Sequence, residues 1–237
     1  MSATTTLAVC ACVAGAGVVG YGLLAATSGL FAPVVSRGRR ESRAVALTFD
    51  DGPWPGSTDV ILDTLKAAGV RAAFFVIGRH VKLHPGLVKR MHEEGHIVGN
   101  HSFDHHRFGI WRGVEYWRAQ IGLADDAIRD CTGAMPLLFR PPMGFKSPML
   151  ARAAKGKTIV AWSRRCFDGV AVSHERIVRR AANTGGGDIL LLHDGRDPAS
   201  RRDVGATAAA LPRILESIKE RGLEVARLDD LIGRLPY

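Results

Sequence analysis

The sequence predicts an α/β domain with a parallel sheet, preceded by one membrane-spanning N-terminal segment. Three observations predict it. Apolar runs alternate with amphipathic stretches roughly seven times from Ala44 onward, and continuous apolar strands in such alternation read as parallel strands covered on both faces. Chemically capable side chains fall just past the ends of those runs, where parallel α/β architectures bind ligands. No charged residue occurs from Leu7 to Val35, a run longer than the ~20 residues a bilayer crossing needs. Right-handed crossovers allow either an open doubly wound sheet or a closed barrel, and periodicity does not choose between them.

The apolar run opens on Met1–Thr6, which has no basic side chain. A cleaved signal peptide would want one there, so the run reads as a retained anchor over residues 1–36. Ala16 and Gly20 lie four apart, but an Ala/Gly-rich helix produces that spacing without a partner. Residues 37–43 form a basic linker, with Arg37, Arg39, Arg40 and Arg43 against Glu41. Basic flanks are retained on the cytoplasmic side, which favours a cytoplasmic location for the domain that follows.

The domain occupies residues 44–237, enough for one core. Its elements follow in order. Ala44–Phe49 is a strand. Ser57 caps a helix to Ala68, closed by Gly69. Ala72–Ile77 is a strand, Pro85–Glu94 a helix, and His96–Gly99 a short strand. Gly113–Cys131 is helical, Leu137–Phe139 extended, Pro148–Lys155 helical and Thr158–Trp162 extended. A helix over Ser173–Asn183 meets a Gly185-Gly186-Gly187 loop and then the strand Asp188–Leu192. A helix over Arg202–Arg221, a strand over Leu223–Ala226 and a helical turn over Leu228–Gly233 complete the chain.

The net charge is +9. No basic run within the domain alternates with aromatics, which argues against nucleic acid as a partner. Cys10, Cys12, Cys131 and Cys166 lack metal or redox spacing and read as free, mostly buried thiols.

Asp50-Asp51-Gly52 sets two carboxylates side by side after an apolar strand. Their repulsion asks for a cation or a shared proton, unless they are simply loop aspartates. His101 and His105, four apart, can reach one ion and with a carboxylate suit a catalytic divalent metal; a histidine-rich surface loop would look the same. His193-Asp194 closes the apolar run Ile189–Leu192. Arg140 precedes Pro141-Pro142, and a lone arginine there would normally hold a carboxylate.

Taken together, Thr48-Phe49-Asp50-Asp51-Gly52-Pro53, His101-Ser102-x-x-His105, Arg140-Pro141-Pro142-x-Gly144 and Leu191-x-His193-Asp194 resemble the polysaccharide deacetylase family with the NodB homology domain, carbohydrate esterase family four. The resemblance covers about Ala44 to Leu231. It implies a distorted (β/α) barrel with about seven strands. It implies one divalent metal ion held by Asp51, His101 and His105: zinc in the first instance, with cobalt, nickel or manganese as alternatives. It implies Asp50 as general base, His193 as general acid, Arg140 orienting Asp50, and Asp168 holding His193. Pro141, Leu191, Trp162 and Arg165 are the expected substrate contacts. Leu191 shares strand parity with His193 and so faces the acyl methyl.

The fourth motif departs from the pattern. Trp162-Ser163 is followed by Arg164-Arg165-Cys166-Phe167-Asp168-Gly169. Arg165 stands where an aspartate is expected and Gly169 where a tryptophan is. The aromatic wall is therefore in doubt, and Arg165 either meets a negatively charged substrate or pairs with a nearby acid. The implied reaction is hydrolysis of an N-acetyl or O-acetyl group from a glycan or glycolipid, with the membrane as the other partner and no protein partner. A deformylase of a lipid-linked amino sugar shares the chemistry. An inactive sugar-binding module is the reading of another class, and binding alone needs neither paired carboxylates nor a strand-end histidine. Relatives that act on cell-wall polymers argue for the opposite orientation to that favoured by the arginines.

Overall fold

Ala44–Asp50 is the central strand of the structure, a computed structural model that describes residues 15–170, 172–197 and 204–237. Its alternation sets inside and outside. Val45, Leu47 and Phe49 face outward into the largest apolar cluster, beneath the helices, and Ala46 faces the interior. By the same parity Thr48 and Asp50 point inward.

In chain order the strands are Val34–Val35 (β1), Ala44–Asp50 (β2), Ala73–Val76 (β3), Ile97–Asn100 (β4), Leu138–Phe139 (β5), Thr158–Val160 (β6), Arg164–Arg165 (β7), Ile189–His193 (β8) and Glu224–Val225 (β9). They lie in the order β1-β6-β5-β4-β3-β2-β8-β7, and β9 pairs with the start of β2. All these pairings are parallel. Only Ala161–Ser163 separate β6 from β7, although they stand near opposite ends of this order. A flat sheet would put them ~29 Å apart, whereas the connecting chain reaches ~14 Å. The sheet therefore curls into an incomplete barrel.

Eight strands form the curl, against an expectation of about seven. The additions are short. β7 reads Arg-Arg, which no apolar pattern flags, and β1 lies inside the run expected to span a membrane. The helices are Thr58–Ala67 (α1), Gly78–Leu83 (α2), Pro85–Glu93 (α3), Val114–Thr132 (α4), Pro148–Ala153 (α5), His174–Ala181 (α6), Gly205–Glu220 (α7) and Leu228–Ile232 (α8). α2 was not expected. Ser57 precedes α1, but its hydroxyl donates to the Val204 carbonyl (3.0 Å) and caps nothing. Leu228, Leu231 and Ile232 of α8 close the bottom of the barrel against Ala46, Phe75, Leu138 and Ile189.

Residues 37–43 are strapped across the bottom. Arg37 pairs with Asp188 at 2.6 Å, and the Gly38 N–H donates to the Gly187 carbonyl. A side chain at Gly186 would lie 1.8 Å from the Ser42 carbonyl oxygen, and one at Gly187 2.4 Å from that of Arg39, so both positions require glycine. Ahead of this, residues 15–24 are helical. Buried Lys146 donates to the Ala25, Ala26 and Gly144 carbonyls, fastening the end of that helix to the loop after β5. Part of the expected membrane span, residues 1–14 with Cys10 and Cys12, lies outside the described residues. Among those described, no helix is long and apolar enough to cross a membrane. Cys131 and Cys166 are free, half-buried and buried respectively.

Candidate metal centre and cleft

Most of the expected site residues sit at or just past the C-terminal end of a strand. Asp50 ends β2 and Asp51 follows it; His101 follows β4, Arg140 follows β5, and His193 ends β8. The staggered ends of the curled sheet bring these positions together. Asp50, Asp51, His101, His105, Trp162, Arg165, Leu191 and His193 line one cleft. Arg140 and Asp168 are buried behind it. Pro141 is also buried and does not line the cleft, where Met143 stands instead.

Asp51, His101 and His105 present ligand atoms within 4.8 Å of one another. The Asp51 Oδ1 is 3.6 Å from His101 Nε2 and 3.4 Å from His105 Nε2. His101 Nδ1 lies 2.6 Å from the Arg140 carbonyl oxygen. A carbonyl only accepts, so Nδ1 carries the proton and Nε2 presents its lone pair toward Asp51. Burial, reinforced by neighbouring His105, pushes the His101 imidazole down to about 3, so it is neutral, the form that ligates. Burial alone would lower His105, but Asp51, Asp197 and Asp50 outweigh it and raise its value. His105 Nδ1 is 3.4 Å from Asp197 Oδ2, and the same carboxylate oxygen accepts from Arg107. Two imidazoles and one carboxylate, each imidazole held from behind, fit a small divalent cation.

Asp50 is set by Arg140. That guanidinium is fully buried; its Nη1 donates to Asp50 Oδ1 (2.7 Å) and Thr48 Oγ1 (2.9 Å). Its Nε and Nη2 donate to the Val160 and Ala161 carbonyls, and it lies 4.0 Å over the Phe75 ring. The other Asp50 oxygen is 3.7 Å from His101 Nε2. Across the cleft, His193 Nδ1 lies 2.8 Å from Asp168 Oδ1, and the His193 N–H donates to Asp168 Oδ2. The Thr207 hydroxyl donates to the same oxygen. Asp194 is fully buried and accepts from the Thr58 hydroxyl at 2.6 Å. Burial pushes its carboxyl up to about 7.

Backbone strain concentrates here. Asp51, Ser102, His105, Met143 and Phe167 are the described non-glycine residues with left-handed φ. Four of them line the cleft, and Ser102 follows a ligand candidate. Each such residue costs about 1–3 kcal/mol and persists only where its surroundings hold it. Asp197, Arg107 and Phe167 are site residues that sequence reasoning missed. Phe167 had a signal, being the aromatic nearest the position where a tryptophan was expected.

Comparison with known proteins agrees with this geometry. A family model described as polysaccharide deacetylase matches residues 37–161. A peptidoglycan-N-acetylglucosamine deacetylase of Listeria monocytogenes is 37% identical over 205 residues, which are 85% of this chain but 41% of the relative. The chain thus spans less than half the length of that relative. A chitooligosaccharide deacetylase of Bradyrhizobium is 37% identical over 200 residues, 80% of this chain and 91% of the relative. The crystal structure of a peptidoglycan N-acetylglucosamine deacetylase superposes with a TM-score of 0.79 at 29% identity, covering 86% of this chain and 94% of the other.

Proposed function

The chain belongs to the polysaccharide deacetylase family, and from that premise we propose that it hydrolyses the N-acetyl group of an amino sugar in a glycan, using one divalent metal ion. The observation that carries this reading is the pairing of two differently supported groups across one cleft: Asp50 held by Arg140, and His193 held by Asp168. An acyl transfer to water needs a base on one side of the scissile amide and an acid on the other.

Asp51, His101 and His105 would hold the ion, which would supply a Lewis acid for the acyl carbonyl and bring the pKa of a water near neutral pH. The chain's own residues do the rest. Asp50 accepts the proton of the attacking water. Arg140 keeps its Oδ1 engaged and fixes the direction of the carboxylate. His193 delivers a proton from Nε2 to the leaving nitrogen, because an amide anion is too basic to depart. Asp168, bonded to Nδ1, holds the ring in that orientation. Leu191, in register two residues before His193 and facing the same way, takes the acyl methyl.

The N-terminal segment is a membrane anchor in this reading. Support comes from the absence of charge over Leu7–Leu24, ahead of the residues fastened to the domain, and from exposed Val18, Val19, Tyr21 and Leu24 on the helical residues. The helix ends at the cleft rim, since a side chain at Gly144, next to cleft residue Met143, would meet Ala26 at 2.7 Å. That attachment favours a substrate near the bilayer and keeps a lipid-linked amino sugar, with acetyl or formyl as its acyl group, as the second reading. The arginines at 37–43 favour a cytoplasmic domain.

The test is acetate release from N-acetylated glycans and glycolipids by zinc-loaded full-length protein, with formate measured in parallel. Release that survives complete chelation of metal, or no release from any amino sugar, overturns the hydrolase reading. Protease treatment of intact spheroplasts tests the orientation: digestion of the C-terminal domain without lysis overturns it.

A further inference from the structure

One cation on the cleft wall has no counter-charge among the described residues. Arg165 is the second residue of β7 and is in register with Leu191 of β8. Residues paired in parallel strands face the same side of a sheet, so Arg165 shares the inward face with Leu191 and His193, and all three line the cleft. Arg164 faces away; its Nη2 donates to the Asn183 carbonyl and its Nε lies 3.8 Å from Asp188. The other charged groups of the cleft have opposite partners. Asp50 is bonded to Arg140, Arg107 to Asp197, and His193 to Asp168. Arg165 is exposed, and no described carboxylate lies within ion-pair distance of it.

The guanidinium is nevertheless held. It lies 4.9 Å from the centre of the Phe167 ring, a contact that restrains an arginine without neutralising it. Phe167 is itself fixed at φ 56° and is 47% exposed. Arg180 lies 4.8 Å from the same ring, and its Nη1 donates to the Cys166 and Phe167 carbonyls. An exposed phenylalanine on a strained backbone, steadied by one arginine and carrying another into the cleft, has no core-packing purpose.

We infer that Arg165, supported by Phe167, is the specificity determinant of the cleft and binds a carboxylate carried on the same sugar unit as the scissile amide. The substrate class is thus an acidic amino-sugar glycan. The inference rests on the hydrolase reading above. The register places Arg165 two residues from His193, about 7 Å along the strand, so the carboxylate it meets is close to the leaving nitrogen. A carboxylate is favoured over a phosphate because one guanidinium balances one negative charge, whereas a phosphate carries nearly two, and the neighbouring Arg180 is engaged by the Cys166 and Phe167 carbonyls.

The test compares three probes on zinc-loaded full-length protein: an N-acetylated glycan whose acetylated sugar bears a lactyl carboxylate, the same glycan with that carboxyl converted to an amide, and a phosphorylated N-acetylglucosamine glycan. The carboxylate should be preferred over its amide by about tenfold or more in kcat/KM, mainly through KM, and the preference should weaken with salt. Arg165→Ala should bring that ratio to near one, Arg165→Lys should restore part of it, and Phe167→Leu should lower it. Calorimetric binding of the carboxylate and amide glycans to metal-free protein runs alongside, so the preference is read even if no acetate is released. Lack of turnover with a binding preference lost in Arg165→Ala would strike the hydrolase reading and leave this inference standing. Equal affinity and equal kcat/KM for carboxylate and amide, a ratio unchanged by Arg165→Ala, or a stronger preference for phosphate would overturn it.

Discussion

Asp197 should set how tightly the cleft holds its metal, although it is not a ligand. His105 Nε2 faces Asp51 while its Nδ1 faces Asp197 at 3.4 Å. A carboxylate behind a ligating imidazole fixes the ring and raises its basicity, and losing such a partner typically costs about 10–100-fold in metal affinity. Two features put the effect at the low end here. The contact is longer than the ~2.7–2.9 Å of a strong charge-assisted bond, and the same oxygen also serves Arg107. Asp197→Ala should therefore weaken zinc binding about tenfold, or about 1.4 kcal/mol. Asp197→Asn keeps an acceptor without the charge and should fall between the two. The assay is competition against a chromophoric chelator at fixed pH, which reads the dissociation constant without turnover. A wild-type constant in both variants, with the fold intact by circular dichroism, would refute the argument.

Other outcomes follow from the same geometry. Asp50→Asn should retain metal stoichiometry while turnover falls ~10²-fold or more, as for a lost general base; near-normal turnover would remove Asp50 from that role. His101→Ala should lose stoichiometric metal, measured by elemental analysis of folded protein, and undiminished content would sink the assignment. Arg140→Met should destabilise the fold by about 3–5 kcal/mol in urea unfolding, because it leaves the Asp50 carboxylate buried without its counter-charge; a loss below about 1 kcal/mol would contradict that. His96 gives a pH dependence. Its Nδ1 accepts from the Ala72 N–H (3.0 Å), and burial pushes its value down to about 4. The unfolded chain then takes up the proton first, so this contribution is intact above about pH 6.5 and is lost as pH falls toward about 4, by about 2 kcal/mol between pH 7.5 and 5. His96→Gln should flatten that acid limb in urea midpoints measured at the two pH values, and an unchanged slope would assign it to other groups.

What the sequence made legible, and what it did not, divides along the range of the interaction. The strands β2, β3 and β8 were readable because each is an apolar run whose alternation also says which side faces in: Ala46, Thr48 and Asp50, or Ile189, Leu191 and His193. The residues just past those runs were readable as a site because parallel strands share one functional end. β7 was not, since Arg164-Arg165 has no apolar signature and becomes a strand only because Ala161–Ser163 are too short to leave β8. Asp197 and Arg107 were not, because each acts on a side chain that the chain order does not place beside it, and nothing local to Arg196-Asp197-Pro198 announces His105. The ligands were found because metal chemistry restricts them to a few residue types at recognisable spacing. The groups that hold the ligands are restricted only by where the backbone brings them, so a supporting carboxylate carries the same sequence signal as any loop aspartate. Arg165 lies between these cases. The departure at its position was visible in the sequence as a missing acid, but only the register with Leu191 and the stacking on Phe167 turn that absence into a directed charge.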